Sequence, residues 1–201
     1  MSDTSIPRTF LQSFEAMAEE AGEEGLSLHD ILDRLDERAF GAMLFILALP
    51  CAIPFLWGVP QIVALPMLAL TLQMLAGREE PWLPEKFGQR MMEKKQLGRL
   101  SRLGRKWFGW LERFAHPRLT FLTGKKSERL VALFLTVFCA SILLPIPGTN
   151  SVPGVAVAIV AFGLMARDGI LVILGGLLGS AWIAILASGS TWVIAALRDL
   201  F

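Results

Sequence analysis

Polar and apolar positions along this chain fall into long blocks. Residues 8–22 carry Phe10, Leu11, Phe14, Met17, Ala18 and Ala21 at helical spacing with acids between them, and Gly22 and Gly25 break the run. That spacing predicts an amphipathic helix. Ser27-Leu-His-Asp30 reads as a capping box opening a second helix, with Leu28, Ile31, Leu32 and Leu35 on one face. Residues 41–77 and 130–166 then contain no charged residue at all. Each apolar block is interrupted near its middle, by Pro54-Phe-Leu-Trp-Gly-Val-Pro60 and by Pro147-Gly-Thr-Asn-Ser-Val-Pro153. Both interruptions read Pro-x5-Pro with Val before the second Pro, 93 residues apart. Pro50 and Pro66 interrupt the first block further.

Each block therefore predicts two short apolar helices joined by a break at Pro54, Gly58 and Pro60 or at Pro147, Gly148 and Pro153. Broken apolar helices at matching places in two halves of a chain mark membrane proteins and point to a site near the midplane. A helix needs about 20 residues to cross roughly 30 Å of hydrocarbon, and each half falls a little short. A tilted two-span hairpin and a re-entrant hairpin both fit. The predicted class is an all-α membrane protein with two related Pro/Gly-broken hairpins, a basic interfacial helix between them and a membrane helix or helices at the end. Both hairpins are expected to enter from the same side, since an inverted pair needs an odd number of crossings between them.

Charge divides the chain in the same places. Residues 1–40 hold ten acids against three bases, and residues 78–129 hold fourteen bases against six acids, although the whole chain nets only +1. Basic loops remain cytoplasmic, which puts 78–129, and with it 1–40, on the cytoplasmic side. The start of the chain lacks the basic and apolar regions of a cleavable signal peptide. The expected units are 1–40 (acidic amphipathic helices), 41–77 (first hairpin), 78–129 (basic linker), 130–167 (second hairpin) and 168–201 (last membrane segment). Within 84–114, Leu97, Leu100, Leu103, Trp107, Leu111 and Phe114 mark one face and bases fill the rest. That composition suits an interface with anionic lipids; flanking hairpins make a nucleic-acid helix the poorer reading. The acidic arm docking on the basic linker is a further expectation.

Candidate chemistry is sparse. Gln73 and Thr71 lie inside an apolar helix, where polar side chains usually bond to neighbouring helices. Thr149, Asn150 and Ser151 occupy the second break, where capping is the favoured reading and lining a polar path the sharper one. Arg167 and Asp168 end the second hairpin, as a boundary cap or as ion or substrate contacts. Glu128 and Arg129 mark where that hairpin begins. Gln73, Thr149, Asn150, Arg167 and Asp168 form the candidate path. Gly175, Gly176 and Gly179 have the small-residue spacing that lets helices pack closely and makes a homodimer an expected partner. Ser188-Gly-Ser190 should end or bend the last span. Cys51 and Cys139 read as small buried or lipid-facing side chains. No metal-ligand spacing, phosphate loop or nucleophile elbow is present, and His29 and His116 have no partners for catalysis. No enzyme, cofactor or metal is expected.

Two groups of motifs carry a family resemblance. The first is Leu-Pro-Cys-Ala-Ile-Pro54, Ala64-Leu-Pro66, Leu-Gln73-Met-Leu-Ala-Gly-Arg78 and Pro81-Trp-Leu-Pro84. The second is Leu-Pro-Ile-Pro147-Gly-Thr-Asn150 with Gly163-Leu-Met-Ala-Arg-Asp168-Gly169. Together, from about Leu26 to about Leu186, they resemble the ExoD family of bacterial exopolysaccharide-synthesis proteins. The first break has Phe-Leu-Trp-Gly where a tighter Pro-Gly turn is typical of that family. The resemblance implies a multi-pass inner-membrane protein linked to exopolysaccharide production, and it brings no catalytic residues. Two functions follow: a transporter or channel-like component with a site between the breaks, or a non-transporting assembly or regulatory partner of the exopolysaccharide machinery.

Overall fold

The computed structural model describes residues 10–20, 25–54, 56, 58–89, 91–92, 94–144 and 149–200. The described residues form helices α1 (Phe10–Glu20), α2 (Leu28–Leu35), α3 (Ala39–Ala52), α4 (Val59–Leu75), α5 (Glu85–Gly88), α6 (Lys94–Phe114), α7 (Lys125–Ile142), α8 (Ser151–Ala166) and α9 (Gly169–Leu200). Two-residue strands β1 (Leu26–Ser27) and β2 (Met91–Met92) pair antiparallel. The all-α class expected from the sequence is what forms.

The repeated Val-Pro has a local cause. Pro60 and Pro153 both sit in the first turn of the second helix of their hairpin, where the missing N–H has no intrahelical partner to lose. Gly58 precedes α4 at φ +78, a left-handed conformation that suits glycine. Pro54 follows the end of α3, and Ile53 before it is extended, as a residue ahead of proline should be. Pro50 and Pro66 were expected to interrupt the first block, but α3 runs through Pro50 and α4 through Pro66. One N–H is missing at Pro66, and packing of α4 against α3 and α7 holds the helix together. Pro147 and Gly148 lie outside the described residues.

The two hairpins also finish alike. Gly77 at φ +82 and Arg167 at φ +54 both turn left-handed just after α4 and α8. Gly77 N–H bonds to the Met74 carbonyl and Arg78 N–H to that of Gln73; Arg167 N–H bonds to the Leu164 carbonyl and Asp168 N–H to that of Gly163. This is the same Schellman-type closure in both copies. The internal repeat thus extends from the breaks to the helix ends.

Packing exchanges the hairpins: α3 lies against α8 and α4 against α7. The first helix of each hairpin packs on the second helix of the other, a two-fold-like arrangement. A Cβ on Gly41 would stand 2.9 Å from the Ala161 carbonyl oxygen, and one on Gly154 would stand 2.6 Å from the Cys51 carbonyl carbon. So α3 and α8 run antiparallel with backbones in near contact at both ends. The carboxyl end of α3 and the amino end of α8 share one end of the bundle, and the opposite ends of the two helices share the other. The core is Phe40, Leu44, Met67, Met74, Leu135, Phe138, Ile142, Val157 and Val160, all buried, with the Phe45 and Phe162 rings 5.6 Å apart. The second hairpin begins earlier than its uncharged block, because α7 starts at Lys125 and takes Glu128 into its first turn.

The last helix departs from expectation. Ser188-Gly-Ser190 does not end α9, which continues to Leu200. Ser188 Oγ donates to the Ile185 carbonyl at 2.9 Å, so its hydroxyl is satisfied inside the helix. One interior glycine costs about 1 kcal/mol, too little to stop a helix of this length.

Arm and linker meet, as charge complementarity implied. Helix α1 packs on α6, and Arg105 pairs with Glu15. The capping box forms: Asp30 N–H donates to Ser27 Oγ at 3.1 Å, and Ser27 N–H and Oγ–H donate to Asp30 Oδ2 at 3.1 and 2.6 Å. Bonds from the Ser27 hydroxyl and backbone hold the Asp30 carboxyl below its usual range. Its contribution to α2 is therefore present above the unfolded-state pKa and is lost as pH falls through the lowered folded-state value. Ser27→Ala is expected to move the Asp30 pKa upward in a carboxyl NMR titration and to speed amide exchange across residues 28–35. An unshifted titration would mean that the box does not set this pKa.

Candidate functional site

The expected path residues separate into two places, about 24 Å apart along the 16 residues of α8. At the break end, three helix termini converge on Cys51. Its Sγ lies 3.8 Å from the Pro60 carbonyl oxygen and 4.0 Å from Met67 Sδ, and Gly154 touches its backbone. The N-termini of α4 and α8 thus approach one another across the end of α3. Each brings backbone N–H groups without intrahelical partners and the positive end of a helix dipole.

Asn150 sits at this junction, immediately before α8, and is only 9% exposed. The capping expected of it is corrected by its backbone. At φ −79 and ψ −23 it is already helical, whereas a capping side chain reaches the second or third N–H from an extended residue. Its side chain makes no cap bond, and Oδ1 is buried without a hydrogen-bond partner among the described residues. Gln61 Oε1, in the first turn of α4, is buried in the same condition. Thr149 and Ser151 are half-buried beside Asn150. Buried amide oxygens without partners are uncommon, and each calls for a donor.

At the outer end the polar residues are engaged with backbone. Gln73 holds Trp82 at two points: Trp82 N–H donates to Oε1 at 2.6 Å, and Nε2 donates to the Trp82 carbonyl at 3.2 Å. This clamp fastens the Pro81-Trp-Leu-Pro84 loop to α4 and accounts for both motifs together. Thr71, fully buried, donates to the Leu68 carbonyl within its own helix. The Arg129 guanidinium lies over Gly77, near the carbonyl end of α4, where a cation is favourable.

Asp168 is 3% exposed, and its carboxylate accepts two backbone N–H bonds among the described residues. Oδ1 accepts from Ile170 N–H at 3.0 Å, capping α9, and Oδ2 accepts from His116 N–H at 3.1 Å. Gly169 N–H then donates to the Arg118 carbonyl at 2.7 Å. Asp168 and Gly169 therefore staple the linker beyond α6 to the start of α9. Arg167 beside them is exposed and supplies the left-handed turn.

The glycines expected at a dimer contact mostly pack internally. A Cβ on Gly175 would stand 2.6 Å from Val160 Cγ2, and one on Gly179 would run into the Phe138 ring. Gly176 alone of the three meets nothing within 4 Å. Sequence reasoning missed Gly41, Gly154 and Gln61. A glycine inside a helical apolar run is the signal for the first two, since its cost there asks for a packing reason. Cys51 and Cys139 are both buried and unpaired. Among the described residues no three His, Cys, Asp or Glu side chains lie together in a way that could hold a metal ion.

Comparison with known proteins agrees with the motifs. The family model described as "Exopolysaccharide synthesis, ExoD" matches residues 10–188. An uncharacterized protein of Synechocystis sp. is 28% identical over 183 residues, covering 87% of this chain and 86% of that protein. Protein ExoD of Rhizobium meliloti is 28% identical over 152 residues, covering 73% of this chain and 63% of that protein. No solved structure matches. With both hairpins, the Gln73–Trp82 clamp and the Asp168 staple all inside the matched region, the chain belongs to the ExoD exopolysaccharide-synthesis family.

Proposed function

We propose that this chain is an integral protein of the bacterial inner membrane that serves exopolysaccharide production as a transporter or channel-like component. The junction around Asn150 would be its site. Support for the membrane comes from where apolar side chains lie. The Gly169–Gly189 segment of α9 is long and apolar enough to cross a bilayer, yet only 17% of it is buried, whereas the core helix of a soluble protein is mostly buried. Around the bundle Ile46, Ile62, Leu65, Leu133, Val137 and Leu177 are all exposed, Ile62 by 70% and Leu177 by 64%. Helices apolar on every side suit a hydrocarbon surrounding.

Helix lengths favour re-entrant hairpins. Helices α3, α4 and α8 have 14, 17 and 16 residues, short of the roughly 20 a crossing needs. They accompany the first part of α9, where Gly175 meets Ala156 and Gly179 meets Phe138. On this reading α9 alone crosses, and the breaks lie inside the membrane at unequal distance from its two faces.

The observation that carries the transport reading is the Asn150 amide oxygen, buried immediately before the N-terminus of α8 with no partner among the described residues. Irregular backbone at membrane depth is tolerated where it is covered by protein or lines a wet cavity. Water or a hydroxylated substrate reaching the junction would satisfy that oxygen. The test uses Asn150→Cys with Cys51 and Cys139 replaced by alanine, reconstituted in liposomes. A membrane-impermeant maleimide should label it, and Asn150→Ala in the otherwise native chain should reduce release of entrapped ions or oligosaccharides about tenfold. No labelling from either side, with release equal to protein-free vesicles, would end this reading.

The assembly or regulatory alternative draws on a different feature, the folded unit made by α1 on α6 and β1 on β2. If it holds, exopolysaccharide machinery should co-purify with a chain altered at both breaks and should be lost when α1 is removed.

A further inference from the structure

The outer face of α6 has a composition that neither the hairpins nor the arm accounts for. Lys95, Arg99, Arg102 and Lys106 are all exposed. Their spacing of four, three and four places them in one stripe along the helix. Arg102 Nε donates to the Gly98 carbonyl at 3.0 Å, which fixes its root on the helix surface. The acidic arm contacts α6 elsewhere, through Glu15 and Arg105. Leu97 on the opposite side is fully buried in the core. The stripe therefore faces outward by construction, with α6 held from behind.

The position of α6 is also set. Two residues after its last, His116 N–H is bound to the Asp168 carboxylate, and the Arg118 carbonyl accepts from Gly169 N–H. Gly169 is the first residue of the segment long enough to cross a bilayer. The carboxyl end of α6 is thus pinned where hydrocarbon would begin. Leu103 on α6 is also exposed, by 52%, and so is Phe121 after the staple, by 64%. Cations with an exposed leucine among them are what a headgroup layer accommodates, whereas a soluble polyanion would engage the cations and leave the apolar group in water.

We propose that the Lys95–Arg99–Arg102–Lys106 stripe docks α6 on the anionic lipid headgroups of the membrane that holds α9. The inference rests on the membrane reading above and adds a lipid class and four contact residues to it. Docked this way, α6 lies in the plane of the leaflet and holds the α1 arm at the interface on its other flank. Basic residues near an anionic leaflet act together, and the attraction is screened by salt.

The experiment uses the full chain in nanodiscs of phosphatidylcholine alone or with phosphatidylglycerol at about one lipid in three. Trypsin cleavage after Arg99 and Arg102, followed by mass spectrometry, should be slowed at least about tenfold by phosphatidylglycerol, and 0.5 M salt should remove most of the difference. Lys95→Gln, Arg99→Gln, Arg102→Gln and Lys106→Gln combined would remove trypsin sites, so that variant is read by hydrogen exchange across residues 94–106, where it should respond equally to both lipids. The charge-preserving exchange of Lys for Arg and Arg for Lys at the same four positions should keep the native response. Equal cleavage of the native chain in both nanodiscs overturns the inference while leaving the membrane reading intact. A chain that stays monodisperse without lipid or detergent overturns the membrane reading itself. Protection by an added acidic polysaccharide in phosphatidylcholine nanodiscs, with none from phosphatidylglycerol, assigns the stripe to a soluble polyanion and also overturns the inference.

Discussion

Gly154→Leu is expected to destabilise the bundle by about 3 kcal/mol or more. A Cβ at Gly154 would stand 2.6 Å from the Cys51 carbonyl carbon and 2.8 Å from both its carbonyl oxygen and its Cβ. Two of those neighbours are backbone, so no rotamer change can make room and α3 must move away from α8. That contact joins the two hairpins, and separating them opens the core around Ala48, Val157 and Ala161, all buried. Gly41→Leu at the other end of the same helix pair should behave alike, since its Cβ would meet the Ala161 carbonyl oxygen at 2.9 Å and the Met165 nitrogen at 3.0 Å. Gly176→Leu is the control. Nothing lies within 4 Å of a Cβ there, and a leucine suits a helix interior better than glycine by about 1 kcal/mol. Thermal unfolding in detergent should therefore fall sharply for the first two and stay level or rise for the third. Gly176→Leu also tests the homodimer read from the glycine spacing: if two copies meet through that face, cross-linking in membranes should fall while the melting of the monomer does not.

These glycines show what the amino-acid pattern revealed and what it hid. The breaks were legible because proline and glycine act on their own backbone, whatever lies around them. Val59-Pro60 and Val152-Pro153 open helices for a reason contained within a single turn. The capping box at Ser27 and Asp30 was legible on the same ground, its two partners being three residues apart. The exchange of partners between hairpins was hidden, because Gly41 and Gly154 carry no mark of what approaches them; any apolar helix would fit the pattern. Gly175 and Gly179 illustrate the converse. Their spacing announced close packing, but it could not say whether the neighbour was Val160 and Phe138 of the same chain or a second copy. Asn150 was expected to cap because of its residue type. Its helical backbone decided otherwise, and backbone angles at a break depend on how the whole hairpin is held. Gln73 and Asp168 stood out as polar groups in apolar surroundings, and their partners, the backbones of Trp82 and His116, could not be found because any residue offers the same N–H.

Asp168→Ala is expected to cost about 3 kcal/mol and to loosen α6 from the bundle. Two hydrogen bonds to a buried charged acceptor are lost, each worth about 1.5–3 kcal/mol, and the N–H groups of His116 and Ile170 are left without that acceptor. The start of α9 then loses its cap and the 115–119 segment its anchor, so amide exchange at residues 115–119 and 169–172 should rise together. Asp168→Asn separates this role from one in ion or substrate movement. An asparagine oxygen can still accept one of the two bonds, so a staple should retain part of its stability and the protein part of its activity in proportion. An ionised group that moves a proton or ion would lose its function entirely in Asp168→Asn, with melting almost unchanged. Gly169→Ala sharpens the comparison, because its Cβ would stand 2.5 Å from the Leu119 carbonyl oxygen and disturb the same joint without touching the carboxylate. If Gly169→Ala and Asp168→Asn lower stability and activity along one line, Asp168 acts by holding the linker to α9. If Asp168→Asn falls far below that line in activity alone, its charge takes part in what the protein moves, and the site extends to the outer end of the bundle.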